Sequence, residues 1–145
     1  MAGVTAIDIS RAALALAAEN AAANGLTHRV ELLEGDLLAP VAGRAFDLVA
    51  SNPPYVAAGD EVDPEVAGYE PALAVYAESG GKAVHERLAA DARAVLKPGG
   101  RLVVEVAEGQ ARWLAEHLTS LGYRAVAITP DLRGIDRVVT AQHAS

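Results

Sequence analysis

Apolar positions along the chain switch repeatedly between runs of four to six residues and spacings of three and four. Val4-Thr5-Ala6-Ile7-Asp8 reads as a buried strand that ends in a carboxylate. Ser10 is placed to cap a helix through the alanine-rich stretch to about Asn24, with Gly25 as its stop. Val30 to Glu34 predicts a second short strand. Phe46 to Ser51 predicts a third, ended by Asn52-Pro53-Pro54. The region from Val56 to Gly81 carries Gly59, Pro64, Gly68, Pro71, Gly80 and Gly81 and is expected to be mostly loop. Val84, Leu88, Ala92 and Val95 then share one helical face, and Lys97-Pro98-Gly99-Gly100 is expected to stop that helix. Arg101 to Val106 predicts a strand, and Leu114, Leu118 and Leu121 a helix stripe closed by Gly122. Tyr123 to Thr129 and Arg137 to Thr140 predict two closing strands.

Strands separated by helices of ten or more residues call for parallel pairing with right-handed crossovers, hence an α/β sandwich. Ligands of such sheets sit at the carboxyl ends of the strands. Asp8, Asp36 and Asn52 each fall just past a strand and are the first site candidates.

The chain has 145 residues and 52% apolar composition, enough for one core, with no repeat, linker or low-complexity tract. No run of 18 apolar residues and no charged-then-apolar leader occurs, so neither a membrane span nor a secretory signal is expected. The absence of cysteine excludes disulfides, thiol catalysis and Cys-ligated zinc, and fits a cytoplasmic location. Net charge is −7, and the 12 basic residues stand singly. Nucleic-acid binding draws on clustered cations, so direct nucleic-acid contact is not expected. His28, His85, His117 and His143 lack ligand-like spacing, and no metal site is expected. Arg133 and Arg137 could guide an RNA-bound partner, but isolated arginines near the end of a chain read as solvated.

Asn52-Pro53-Pro54-Tyr55 carries the chemistry. One reading is a Pro-Pro turn that ends a strand and stiffens its exit. The other starts from the weakness of an amide or aryl-amine nitrogen as a nucleophile. Its lone pair is delocalised, so attack on a methyl sulfonium demands close, in-line positioning. The Asn52 side-chain oxygen and a backbone carbonyl of the Pro-Pro segment can each accept one N–H of an NH₂ group. Proline pre-organises the turn, and Tyr55 offers a flat face for a planar amide or base. Orientation of this kind lowers barriers by roughly 7–11 kcal/mol without a strong base.

The segment resembles the motif of methyltransferases that act on planar NH₂ groups of adenine, cytosine or glutamine. Glu70-Pro71-Ala72-Leu73-Ala74-Val75 resembles the following segment of the peptide chain release factor N5-glutamine methyltransferases. Gly81 stands where that family has the glycine of an Asp-Gly pair, with Gly80 replacing the aspartate. Leu96-Lys97-Pro98-Gly99-Gly100, Glu105, Gln110 and Asp131-Leu132-Arg133-Gly134-Ile135-Asp136-Arg137 match as well, so the resemblance spans essentially the whole chain. It implies a Rossmann-like class I methyltransferase sandwich, with a mostly parallel sheet and an antiparallel C-terminal strand. It also implies S-adenosyl-L-methionine as cofactor and a release factor, methylated in its Gly-Gly-Gln loop, as protein partner. Asp8 would then bind the ribose hydroxyls, Asp36 the adenine amino group, and Leu37 the ring face. Asn52 would face both cofactor and substrate as the catalytic residue, and Pro53, Pro54 and Tyr55 would complete the glutamine pocket. Glu70 would anchor the active-site loop.

Set against the family, residues 1–145 read as one truncated domain that lacks the first strand, its glycine-rich loop and the N-terminal helical docking domain. A gene fragment or misassigned start is the favoured explanation, beside a split enzyme and a decayed remnant. The strands ending at Asp8 and Ser51 would flank the missing strand, and their unpaired edges would favour self-association. A non-catalytic protein-binding fragment and a nucleic-acid amino-methyltransferase remain the alternatives.

Overall fold

A computed structural model describes residues 3–53, 56–57, 76–77 and 82–144. It divides into two compact units, Met1–Arg44 and Ala45–Ser145.

The first unit holds β1 (Val4–Asp8), α1 (Arg11–Ala23) and β2 (Val30–Glu34). β1 and β2 pair in parallel, with Asp8 opposite Glu34. The Ser10 hydroxyl accepts the Ala13 amide at 3.2 Å and caps α1, as its position before the alanine run predicts. α1 lies against both strands. None of its residues is buried, Leu16 included. Arg44 ties the end of the unit to its sheet through Glu31 at 2.8 Å and Thr5 at 3.0 Å. The Arg44 guanidinium, helped by the Thr5 hydroxyl, holds the Glu31 carboxyl below its ordinary range.

The second unit holds β3 (Phe46–Ser51), β4 (Val56–Ala57), β5 (Tyr76–Ala77), α2 (Lys82–Val95) and β6 (Leu96–Glu105). It continues with α3 (Ala111–Ser120), β7 (Arg124–Pro130) and β8 (Asp136–Gln142). Its main sheet has the order β3-β6-β8-β7, while β4 and β5 form a separate short pair. β3 and β6 are parallel, and β8 runs antiparallel to both β6 and β7. The expected α/β, Rossmann-like layout with an antiparallel last strand is therefore present. Among the described residues β1 has a ladder only with β2 and β3 only with β6. Most of the expected loop between Val56 and Gly81, including Glu70, lies outside the described residues.

Burial follows the sequence periods. Leu102 and Val104 alternate inward along β6, with Val106 buried just past its end, and Leu88, Ala89, Ala92 and Val95 form the inner face of α2. Leu114 and Leu118 of α3 and Val139 and Ala141 of β8 join them. Hiding each such leucine or valine contributes about 1.5–3 kcal/mol. Tyr123 closes the layer, donating its hydroxyl to the Ala89 carbonyl at 2.9 Å. Burial pushes its pKa up to about 12.

One expected break is absent. The Lys97-Pro98-Gly99-Gly100 segment was expected to separate helix from strand, yet β6 starts at Leu96, directly after α2. The strand absorbs these residues as an irregularity: Phe46 pairs with Leu96, while Leu48 pairs with Arg101. Backbone bonds to His143, from Gly99 at 3.0 Å and to Gly100 at 2.8 Å, satisfy the displaced groups. The Lys97 ammonium reaches the Asp47 carboxylate at 2.9 Å across the same corner.

Candidate functional site

The carboxyl edge of the first unit carries two of the candidates. Asp8 ends β1, and its Oδ1 accepts the Ser10 amide at 2.7 Å, which sets the carboxylate at the strand tip beside the start of α1. Its backbone carbonyl accepts the Gly35 amide at 3.1 Å, so the exits of β1 and β2 are tied together. Asp36 follows immediately, and its carbonyl accepts the Ala39 amide at 3.2 Å as the chain enters a 3-10 turn at Ala39–Val41. Leu37 between them has φ 48°, a left-handed conformation rare for leucine and found mostly where a site needs an unusual chain path. Asp8 and Asp36 are both exposed, and Leu37 is half-buried. Parallel register puts Asp8 opposite Glu34, so Asp36 stands two residues past its level on the neighbouring strand.

A carboxylate at a strand tip can accept two vicinal hydroxyls, and a second acceptor nearby suits an exocyclic amino group. Arg11 pairs with Glu34 at 2.7 Å on the same edge.

The second unit carries the third candidate. β3 pairs with β6 up to Ser51, opposite Val104, and Asn52 follows as an exposed residue at the carboxyl end of the sheet. Pro53 is buried, while Asn52 faces water. Pro54 and Tyr55 lie outside the described residues. Structure thus joins Asp8 with Asp36 on one edge, and Asn52 with Pro53 on another.

Two groups acquire roles that sequence reading passed over. His85 is 1% exposed and lies on the inner face of α2. Its spacing of three and four from Leu88 and Ala89 was the available signal. Its Nε2 lies 3.4 Å from the Glu105 carbonyl, and its ring meets Trp113 edge-on at 6.4 Å. The other face of this cluster has His117 stacked on Trp113 at 5.6 Å and the Lys82 ammonium 5.2 Å from its ring. Arg137, read as solvated, is instead paired with Asp131 at 3.2 Å, with only 29% of its side chain exposed. Among the described residues no group of three or more metal-ligating side chains occurs, and no helix is long and apolar enough to cross a membrane.

Residues 1–68 match the methyltransferase small domain family. The release factor glutamine methyltransferase of Cereibacter sphaeroides is 45% identical over 139 residues, covering 94% of this chain and 50% of that protein. Its counterpart in Deinococcus radiodurans is 46% identical over 143 residues, covering 97% of this chain and again 50% of the relative. This chain therefore spans about half the length of the curated relatives it matches. Among solved structures, a methyltransferase from Pyrococcus furiosus superposes with a TM-score of 0.73 at 20% identity, covering 99% of this chain and 64% of that one. TrmN from Thermus thermophilus gives 0.64 at 22% identity, covering 97% and 36%. At those identities the likeness concerns the fold.

Proposed function

We propose that this chain, 45% identical over 139 residues to a release factor glutamine methyltransferase and about half as long as that protein, serves S-adenosyl-L-methionine-dependent methylation of a protein glutamine. The acceptor would be the side-chain amide nitrogen, N5, of the glutamine in a Gly-Gly-Gln loop of a peptide chain release factor. The observation that carries this reading is Asn52, exposed at the carboxyl end of β3 and followed by buried Pro53, within 139 residues of 45% identity to such an enzyme.

The cofactor supplies an electrophilic methyl on a sulfonium. The chain's residues do the positioning. Asp8 accepts the ribose hydroxyls, Asp36 accepts the adenine amino group, and Leu37 covers the ring. Asn52 accepts one N–H of the acceptor amide through its side-chain oxygen, and a backbone carbonyl of the Pro53-Pro54 segment accepts the other. Both hydrogens are then held in the amide plane, and the nitrogen presents its lone pair to one side. Pro54 and Tyr55 complete the flat pocket. Because the nitrogen is oriented rather than deprotonated, no general base is needed before bond formation.

The test uses this chain and a chimera in which it replaces the matching half of the Cereibacter sphaeroides relative. Methyl transfer is followed with labelled cofactor to a release factor and to duplex DNA. The factor alone should be labelled, and Asn52→Ala should lower turnover of the chimera by roughly 10²–10³-fold with folding intact. Preferential labelling of DNA, or near-wild-type turnover by the variant, would overturn the assignment.

A further inference from the structure

The transfer chemistry leaves the turn between β7 and β8 without a task, although it is heavily cross-linked. Asp131 organises it. Its amide donates to the Ile135 carbonyl at 2.8 Å, and its own carbonyl accepts the Gly134 amide at 3.0 Å. Its Oδ1 accepts the amides of Arg133 at 2.8 Å and Ile135 at 3.0 Å. Its Oδ2 accepts Arg137 Nε at 3.2 Å, and Arg137 Nη1 continues to the Val106 carbonyl at 3.5 Å. Led by the Ile135 amide, these donors outweigh desolvation and hold the Asp131 carboxyl below its ordinary range. With so many bonds converging on one residue, the backbone between positions 131 and 135 is confined to one shape.

At the corner of this turn Leu132 is 108% exposed, and Arg133 beside it is exposed too. A leucine wholly in water contributes no burial to folding. A scattered surface leucine is ordinary. This one is displayed on a backbone that has little ordering entropy left to lose when a partner covers it, which is the condition for an efficient anchor.

Its place in the sheet points to the occupant. β8 is antiparallel to β6, with Val138 opposite Glu105, and the Val106 amide donates to the Arg137 carbonyl at 2.9 Å. The start of β8 therefore shares an edge with the ends of β3 and β6. Asn52 and the Asp131 turn stand on this one edge, two to three strand steps apart in the order β3-β6-β8-β7. At about 4.8 Å per step that is roughly 10–14 Å. A lone amide side chain cannot bridge this span, whereas the body of a folded protein whose glutamine reaches Asn52 can. On a chain of net charge −7, Arg133 gives this corner a positive charge to pair with a carboxylate.

We propose that residues 131–135 form a docking element for the body of the protein substrate. Leu132 enters an apolar socket and Arg133 pairs with a carboxylate beside it, while the acceptor glutamine occupies the site at Asn52. This proposal rests on the glutamine-methylation reading.

Calorimetric titration of this chain with a purified bacterial peptide chain release factor tests it, using Leu132→Asp and Arg133→Glu. The expected result is at least tenfold weaker binding for Leu132→Asp. Arg133→Glu should weaken binding severalfold, with the difference shrinking as salt rises. Unchanged circular dichroism melting of both variants would show that the loss is local. Equal affinity of Leu132→Asp and the parent chain, or no binding by the parent chain, overturns the docking proposal. Labelling of a short Gly-Gly-Gln peptide by the chimera reads the acceptor site separately, because such a peptide does not carry the docking surface. Labelled peptide with failed docking removes this inference alone. Unlabelled peptide and unlabelled factor remove the methylation reading on which it rests.

Discussion

Gly35 sits between the two carboxylates assigned to the cofactor, and replacing it with alanine offers a sharp test of how that edge is built. A β-carbon added there would meet the Pro40 ring, 2.9 Å from Cδ and closer still to Cγ. Carbon pairs prefer about 3.5–4.0 Å. A flexible side chain could swing aside, but a pyrrolidine ring at the start of the 3-10 turn cannot rotate away. Either the turn at Ala39–Val41 shifts, or Gly35 withdraws and loosens its 3.1 Å bond to the Asp8 carbonyl. Overpacking of this kind costs about 1–3 kcal/mol. Gly25 provides the control, because nothing lies within 4 Å of its added β-carbon and only its φ of +67° resists substitution. That left-handed conformation costs an alanine about 1–2 kcal/mol without moving neighbours. Urea unfolding, with m of about 1–3 kcal/mol per molar, should therefore show lower midpoints for both variants, shifted by roughly 1 M. Cofactor affinity, measured by calorimetry in the chimera, should separate them: Gly35→Ala loses it at least tenfold, while Gly25→Ala keeps it. An unchanged midpoint for Gly35→Ala, or equal cofactor affinity in the two variants, would refute the reasoning.

Two further outcomes follow from titrating groups. Tyr123 has a folded-state pKa raised to about 12 from 10.0, so its contribution is fully present below pH 10 and is lost as pH rises toward 12. Two units correspond to roughly 2–3 kcal/mol. Tyr123→Phe should flatten the alkaline fall in stability and lower stability near neutrality by about 1 kcal/mol, the scale of its bond to Ala89; parallel stability–pH curves for the two proteins would contradict this. Asp131 is held below its ordinary range, so the turn it organises should persist above the unfolded carboxylate pKa and open only as pH falls through the lower folded value. Amide signals of Arg133 and Ile135 should report that opening by NMR in acid and stay constant at neutral pH, whereas movement between pH 6 and 8 would show that another group controls the turn.

Strand positions in this chain were legible because their signals are local. Val30–Glu34 and Phe46–Ser51 appear with the bounds that their apolar runs predict, and Ser10 caps α1 as its place before the alanine run requires. The placement of Asp8, Asp36 and Asn52 at or just past strand ends was legible as well, since it follows from the apolar runs that precede them. The Lys97-Pro98-Gly99-Gly100 segment was legible as the end of α2 but not as part of β6. Its breakers predict a gap, whereas the backbone of His143, 43 residues beyond Gly100, the Gln142 side chain and the pairing of Leu96 with Phe46 keep it within the strand. The same holds for His85 and Arg137, whose environments are set by neighbours from other elements: Trp113 and Glu105 for one, Val106 for the other. The sequence by itself determined the elements, the family resemblance and the motif at Asn52, because periodicity, capping and motif chemistry are properties of adjacent residues. Only tertiary structure decided that the Asp131 turn shares an edge with Asn52, because the antiparallel entry of β8 between β6 and β7 depends on hydrogen bonds between distant strands.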